Sequence, residues 1–133
     1  MKRLNEDTSF RPSAEAKGYL DVLKKTGVFR RSVDGYAFAA AYALKNNSDI
    51  SQVELRGRSE LVAVGALDEE VRLALEAGVH ATLKRAGLPE PVDSAMVLDY
   101  VTKYAEAGLL VLKERWAGKT GLQIQDDIRK IIS

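Results

Sequence analysis

Apolar residues recur at spacings of three and four along most of the chain, with short polar clusters between the runs, which is the pattern of a helical protein. The densest run lies in Phe29 to Leu44, FRRSVDGYAFAAAYAL, where the twelve positions from Val33 to Leu44 hold ten apolar residues, broken only by Asp34 and Gly35. A helix that is apolar nearly all round is buried on most sides, so this one, with Ser32 as its N-cap, is expected at the centre of a single core. Before it, Ser13 caps a helix from about Ala14 to Lys25 that sets Ala16, Tyr19, Leu20 and Leu23 on one face. Gly27 suits the left-handed position that closes such a helix, and Lys24 and Lys25 favour the negative end of its dipole.

Beyond the central helix, Asn46 to Asp49 reads as a loop. Ile50 to Arg58 alternates loosely, enough for a short strand that Gly57 interrupts, and ELVAVGAL over Glu60 to Leu67 is ambiguous between strand and helix. Its helical surroundings favour helix. Asp68, Glu69 and Glu70 mark the next helix start, with Val71, Ala74, Leu75, Val79 and Leu83 as its inward stripe, and Gly87 and Pro89 end it. Pro89 and Pro91 form a stiff connector. Asp93 or Ser94 then caps a long helix to about Trp116, with Met96, Val97, Tyr100, Val101, Tyr104, Leu109 and Leu112 facing inward and Gly108 as a point where it could kink. A last amphipathic helix covers about Gln123 to Ile132. Together these give an all-α fold: a polar N-terminal arm over residues 1–12, then one compact domain over residues 13–133 with five or six helices and room for a short β-hairpin near residues 50–64.

The chain has 133 residues, enough to bury a sizeable core without staples. It has no cysteine and one histidine, so thiolate metal sites are excluded, a structural zinc site is disfavoured, and no cofactor is implied. No apolar run approaches the roughly 20 residues needed to cross a bilayer. MKRLNEDTSF lacks the apolar stretch of a secretory signal, and a cytoplasmic protein with no membrane association is expected. The net charge of +1 is unevenly distributed: residues 1–31 carry eight Lys or Arg against four acids, a local net of +4, which leaves about −3 for the rest. A basic N-terminal quarter permits an anionic partner, because cations near phosphates release counterions on binding; a solvated basic surface fits the same numbers.

Candidate chemistry is sparse. Gly118-Lys119-Thr120 looks like the end of a phosphate-binding loop, but that loop requires a glycine where Lys113 stands, so a helix-closing glycine and a turn fit better. Gly57 to Leu61 lacks the final glycine of a nucleophile elbow, and its only available base would be His80, in mid-helix. Asp68 to Glu70 and Asp126-Asp127 are neighbours on helices and point in different directions. No catalytic or metal-binding residue is expected, and the protein is expected not to be an enzyme.

The segment from Phe10 to Leu44, an extended stub, a helix, a basic turn and a second helix, loosely resembles the ribbon-helix-helix pattern of small DNA-binding dimers. That likeness implies base contacts from Ser9 and Arg11 and backbone contacts from Arg30, Arg31 and Ser32, although Pro12 and the apolar second helix depart from the pattern. Over residues 13–132 the chain resembles the small proteins associated with DNA phosphorothioation (Dnd) systems, through the GVFRR turn, the block Asp34 to Ala41, ELVAVGAL, and Tyr104-Ala105-Glu106-Ala107-Gly108-Leu109. The resemblance implies a non-enzymatic accessory protein of a bacterial DNA-modification or phage-defence system, acting near double-stranded DNA or among other proteins of that system. Arg11, Lys24, Lys25, Arg30 and Arg31 are the candidate nucleic-acid contacts. The alternative is a protein-interaction module, a homo-oligomer or a subunit of a larger complex, with no nucleic-acid contact.

Overall fold

The computed structural model describes residues 1–55 and 62–133. Their elements run β1 (Ser9–Phe10), α1 (Ala14–Lys25), α2 (Ser32–Lys45), β2 (Val62–Ala63), a single 3-10 turn (Val64–Ala66), α3 (Glu69–Arg85), α4 (Ser94–Arg115) and α5 (Gly121–Ile132). The fold is mostly helical, with five helices and one small antiparallel sheet among the described residues.

Helix α2 is the centre, as its apolar run requires, and it packs most extensively against α4. Tyr36, Ala39, Ala40 and Ala43 of α2 are buried against a set on α4 that includes Val101, Ala105, Leu109 and Leu112. Small residues let the two backbones approach. At Gly108 the approach is so close that a Cβ would stand 2.1 Å from the Ala39 carbonyl oxygen. Gly108 therefore does not break α4, which runs unbroken from Ser94 to Arg115; it makes room for α2.

Helix α1 begins as its sequence indicates, with the Ser13 hydroxyl accepting from the Ala16 amide, and closes on Gly27 at a φ of +81°. The start of α2 differs by one position: Arg31 is the N-cap and Ser32 is already helical. At α5 the helix begins at Gly121, earlier than its apolar spacing suggests, because Thr120 and Gln123 form a reciprocal capping box. On α3, Leu75, Val79 and Leu83 are buried, whereas Val71 and Ala74 are exposed at the edge of a groove against α2. Met96 and Tyr100 are only half-buried.

The arm and the middle segment meet in the fold, and the middle segment corrects the sequence reading most. The arm, residues 1–12, is docked on the helices: Leu4, Phe10 and Pro12 are buried, and Phe10 packs on Tyr36 with ring centroids 5.4 Å apart. Val62 to Ala66 is not an α-helix: it is a two-residue strand, Val62–Ala63, followed by the 3-10 turn Val64–Ala66. Phe10 pairs with Val62 and Ser9 with Ala63, so the strand partner of this segment is the distant arm and no hairpin forms with residues 50–55, which contain no strand. Residues 56–61, including the elbow-like Gly57 to Leu61, lie outside the described residues.

Candidate nucleic-acid interface

Helix α1 places its candidate cations where its dipole favours them. Lys24 and Lys25 occupy its last turn, Thr26 caps it, and the chain turns through Gly27 into Arg30 and Arg31. Lys24, Lys25 and Arg30 are exposed, and none of the three makes an ion pair among the described residues. The acids closest in sequence are engaged elsewhere: Asp21 pairs with Lys17 at 2.6 Å and Asp34 with Arg31 at 2.8 Å. The turn is thus a small region of unbalanced positive charge.

Arg31 is a different kind of residue. Its Nε and Nη2 donate to the two carboxylate oxygens of Asp34, at 2.9 and 2.8 Å, and its Nη1 donates to the Ala66 carbonyl at 2.6 Å. It ties the start of α2 to the 3-10 turn. Arg11 is exposed and engaged, and it stands at the opposite end of α1, about 18 Å away at the ordinary helical rise. The five candidates therefore do not form one patch; Lys24, Lys25 and Arg30 are the three exposed, unpaired ones at the end of α1 and in the turn after it. The ribbon of the ribbon-helix-helix likeness is also committed within the chain, since β1 pairs with β2 and Phe10 is fully buried.

Helix α5 stabilises the basic turn from behind. Gln125 Nε2 donates to the Gly27 carbonyl at 3.0 Å, and a Cβ at Gly121 would come within 2.8 Å of the Thr26 carbonyl oxygen. Asp127 anchors α5 in turn, accepting from Arg115 Nε and Nη2 at 2.6 and 2.9 Å and from Trp116 Nε1 at 2.8 Å. The hydrogen bonds from Arg115 hold the Asp127 carboxyl well below the usual carboxylate range; burial opposes them and the Trp116 bond assists.

At the other end of α1 a cleft of about 560 Å³ opens against α4, lined by Ala16, Tyr19, Leu109 and Leu110 with Glu106 at its side. Glu106 is buried, and its carboxylate accepts from the Ser13 amide at 3.1 Å, the Ser13 hydroxyl at 2.7 Å and the Tyr36 hydroxyl at 2.8 Å. One side chain of α4 thereby joins the start of α1 to the middle of α2. A second buried acid, Glu76 of α3, holds the arm: it accepts from the Leu4 amide at 2.6 Å and from Arg3 Nε at 3.3 Å. His80, one turn further, donates from Nε2 to the Lys2 carbonyl at 2.8 Å, which fixes its tautomer. That bond gives the imidazole a place in the arm's docking. Among the described residues no group of three His, Asp or Glu side chains converges as a metal ion requires. No helix among them is long and apolar enough to cross a membrane.

No known protein family, curated protein or solved structure matches the chain.

Glu106 and Glu76 were not singled out from the sequence, and Asp127 was weighed only as half of the Asp126-Asp127 pair. The signal was present for two of them: Glu106 interrupts an otherwise apolar block, Tyr104 to Leu109, and Glu76 follows Leu75 on the inward face of α3. A lone acid on a face that must be buried is a hydrogen-bonding node in waiting, because an unpartnered charge there is costly.

Proposed function

We propose that the protein is a non-enzymatic, DNA-associated accessory protein that meets the phosphate backbone through the turn between α1 and α2. What supports this reading is the exposure of Lys24, Lys25 and Arg30 on one turn, with the acids beside them engaged by other cations. Contacts of this kind are electrostatic and indifferent to base sequence. The setting in a bacterial DNA-modification or phage-defence system rests on the sequence resemblance alone.

The test is duplex-DNA binding by fluorescence anisotropy across a salt series, comparing the wild-type chain with Lys24→Glu/Lys25→Glu. Three phosphate contacts give a log–log salt slope of about −2.7, and the double variant should lose most of the affinity. Binding unaltered by the charge reversal would remove the assignment. Reversal of Arg31 is a poor probe, since it would also break the bonds to Asp34 and Ala66.

A second reading, a protein-interaction module, is favoured by the apolar groove of about 570 Å³ between α2 and α3, walled by Phe29, Phe38, Ala41, Val71 and Ala74. A homodimer formed there would appear in light scattering at high concentration; a strict monomer counts against it.

A further inference from the structure

We infer that Lys119, ninety-four residues beyond Lys25 in the chain, completes the basic turn as a bipartite site for the phosphates of a nucleic-acid backbone. The inference rests on the reading just proposed and extends it to a part of the chain outside the basic N-terminal quarter.

Three observations place Lys119 there. Gly121, two residues on, lies against Thr26: its missing side chain is what allows the Thr26 carbonyl to approach. Gln125, one turn later, bonds the Gly27 carbonyl. The backbone of Lys119 is itself held, its amide donating to the Trp116 carbonyl at 3.1 Å after Gly118 turns the chain at a φ of +76°. Trp116 is fixed through Asp127. A lysine on a floppy tail would contribute little, but this one leaves from a defined point beside the end of α1.

The electrostatics agree with the geometry. Lys119 is exposed and makes no ion pair among the described residues, although it is near enough to Asp127 to favour the ionised carboxyl. Asp127 is occupied by Arg115, and Asp126 pairs with Arg129 at 3.1 Å. The first turn of α5 carries no acid, so the positive end of that helix adds to the same potential. Lys24, Lys25, Arg30 and Lys119 thus flank the contact between the α1 turn and α5, where Asp126 and Asp127 are already matched and Glu114, at the end of α4, makes no ion pair among the described residues. This explains why a likeness to the Gly-Lys-Thr end of a phosphate-binding loop occurs here without the loop itself: the lysine serves a surface, and the threonine is a helix cap.

The experiment measures duplex-DNA affinity and its salt dependence for the full chain carrying Lys119→Gln, Lys119→Arg, Lys24→Gln/Lys25→Gln, or, as a control, Lys84→Gln in the last turn of α3, with circular dichroism on each. Lys119→Gln should weaken binding several-fold and uniformly across DNA sequences and should lower the magnitude of the salt slope by about 1. Lys119→Arg should restore both. If Lys119→Gln leaves affinity and slope unchanged while Lys24→Gln/Lys25→Gln reduces them, Lys119 is outside the site and this inference falls while the DNA reading stands. If the wild-type chain binds no DNA at low salt, the DNA reading falls and takes the inference with it.

Discussion

Glu106 and Lys24 are both charged, and both belong to helices packed against α2, but their surroundings are opposite. Glu106 is buried and takes three hydrogen bonds from Ser13 and Tyr36. Lys24, with Lys25 and Arg30, stands in solvent about 18 Å away at the other end of α1, unpaired among the described residues. The first arrangement fixes the relative positions of three helices. The second leaves charge available to a partner. Because the two regions share a helix but no side chain, stability and binding should be separable by substitution.

The largest effect is expected at the seam beside Glu106. In Gly108→Ala the new methyl would meet the Ala39 carbonyl oxygen at 2.1 Å, and no side-chain rotation can relieve a clash with backbone. Helices α2 and α4 must move apart, which should cost about 3 kcal/mol or more. Chemical denaturation should show this loss while DNA affinity, measured where the variant is still folded, stays at the wild-type value. A stable Gly108→Ala protein would mean that the seam is looser than the contact implies.

Glu106→Ala should come next. It leaves the Ser13 amide, the Ser13 hydroxyl and the Tyr36 hydroxyl without their acceptor, and buried donors left unmatched cost about 1–3 kcal/mol. A total near 3 kcal/mol is expected. Tyr36→Phe removes one donor and should cost about 1 kcal/mol. If both variants unfold at the wild-type denaturant midpoint, the node is incidental to the packing. Neither should alter the salt slope of DNA binding, and a change there would join the two regions that the geometry separates.

How much of this was legible in the sequence differs between the same two regions. The basic turn was legible because its signals are local: Lys24, Lys25, Gly27 and Arg30 lie within a few residues, and dipole and cap rules apply to them directly. The limits of α1 followed from Ser13 and Gly27 for the same reason. The lone acid at Glu106 was visible within its apolar block, but its partners were not legible, since Ser13 and Tyr36 lie 93 and 70 residues away. Nor was the β1 and β2 pairing, in which Phe10 meets Val62. A two-residue strand carries no periodicity, and only tertiary contact decides between strand and helix for so short an apolar run. Gly108 was noticed as a glycine in a helix, but what a glycine permits depends on the backbone opposite it.

Asp127 bonds α5 to the end of α4, the helix that carries Glu106, and the smallest predicted effect tests whether the two regions are coupled through α5. Its carboxyl is held well below the usual range, chiefly by hydrogen bonds from Arg115. Because the folded-state value lies below the unfolded one, its contribution is fully present above the ordinary aspartate value of about 3.9 and is lost as pH falls below it toward the folded-state value. The wild-type chain should therefore lose stability as pH drops below about 4, and Asp127→Asn should lose less over the same interval while starting from a lower stability at neutral pH. Urea midpoints at neutral and acid pH measure both. At neutral pH the same variant should weaken DNA binding slightly, because the bonds to Arg115 and Trp116 seat the helix that Lys119 precedes and whose Gln125 bonds the turn after Lys25. An acid dependence identical to wild type would sink the linkage. A reduced acid dependence with unaltered DNA affinity would show instead that the contacts of Gln125 and Gly121 with the α1 turn are sufficient to hold the basic junction together.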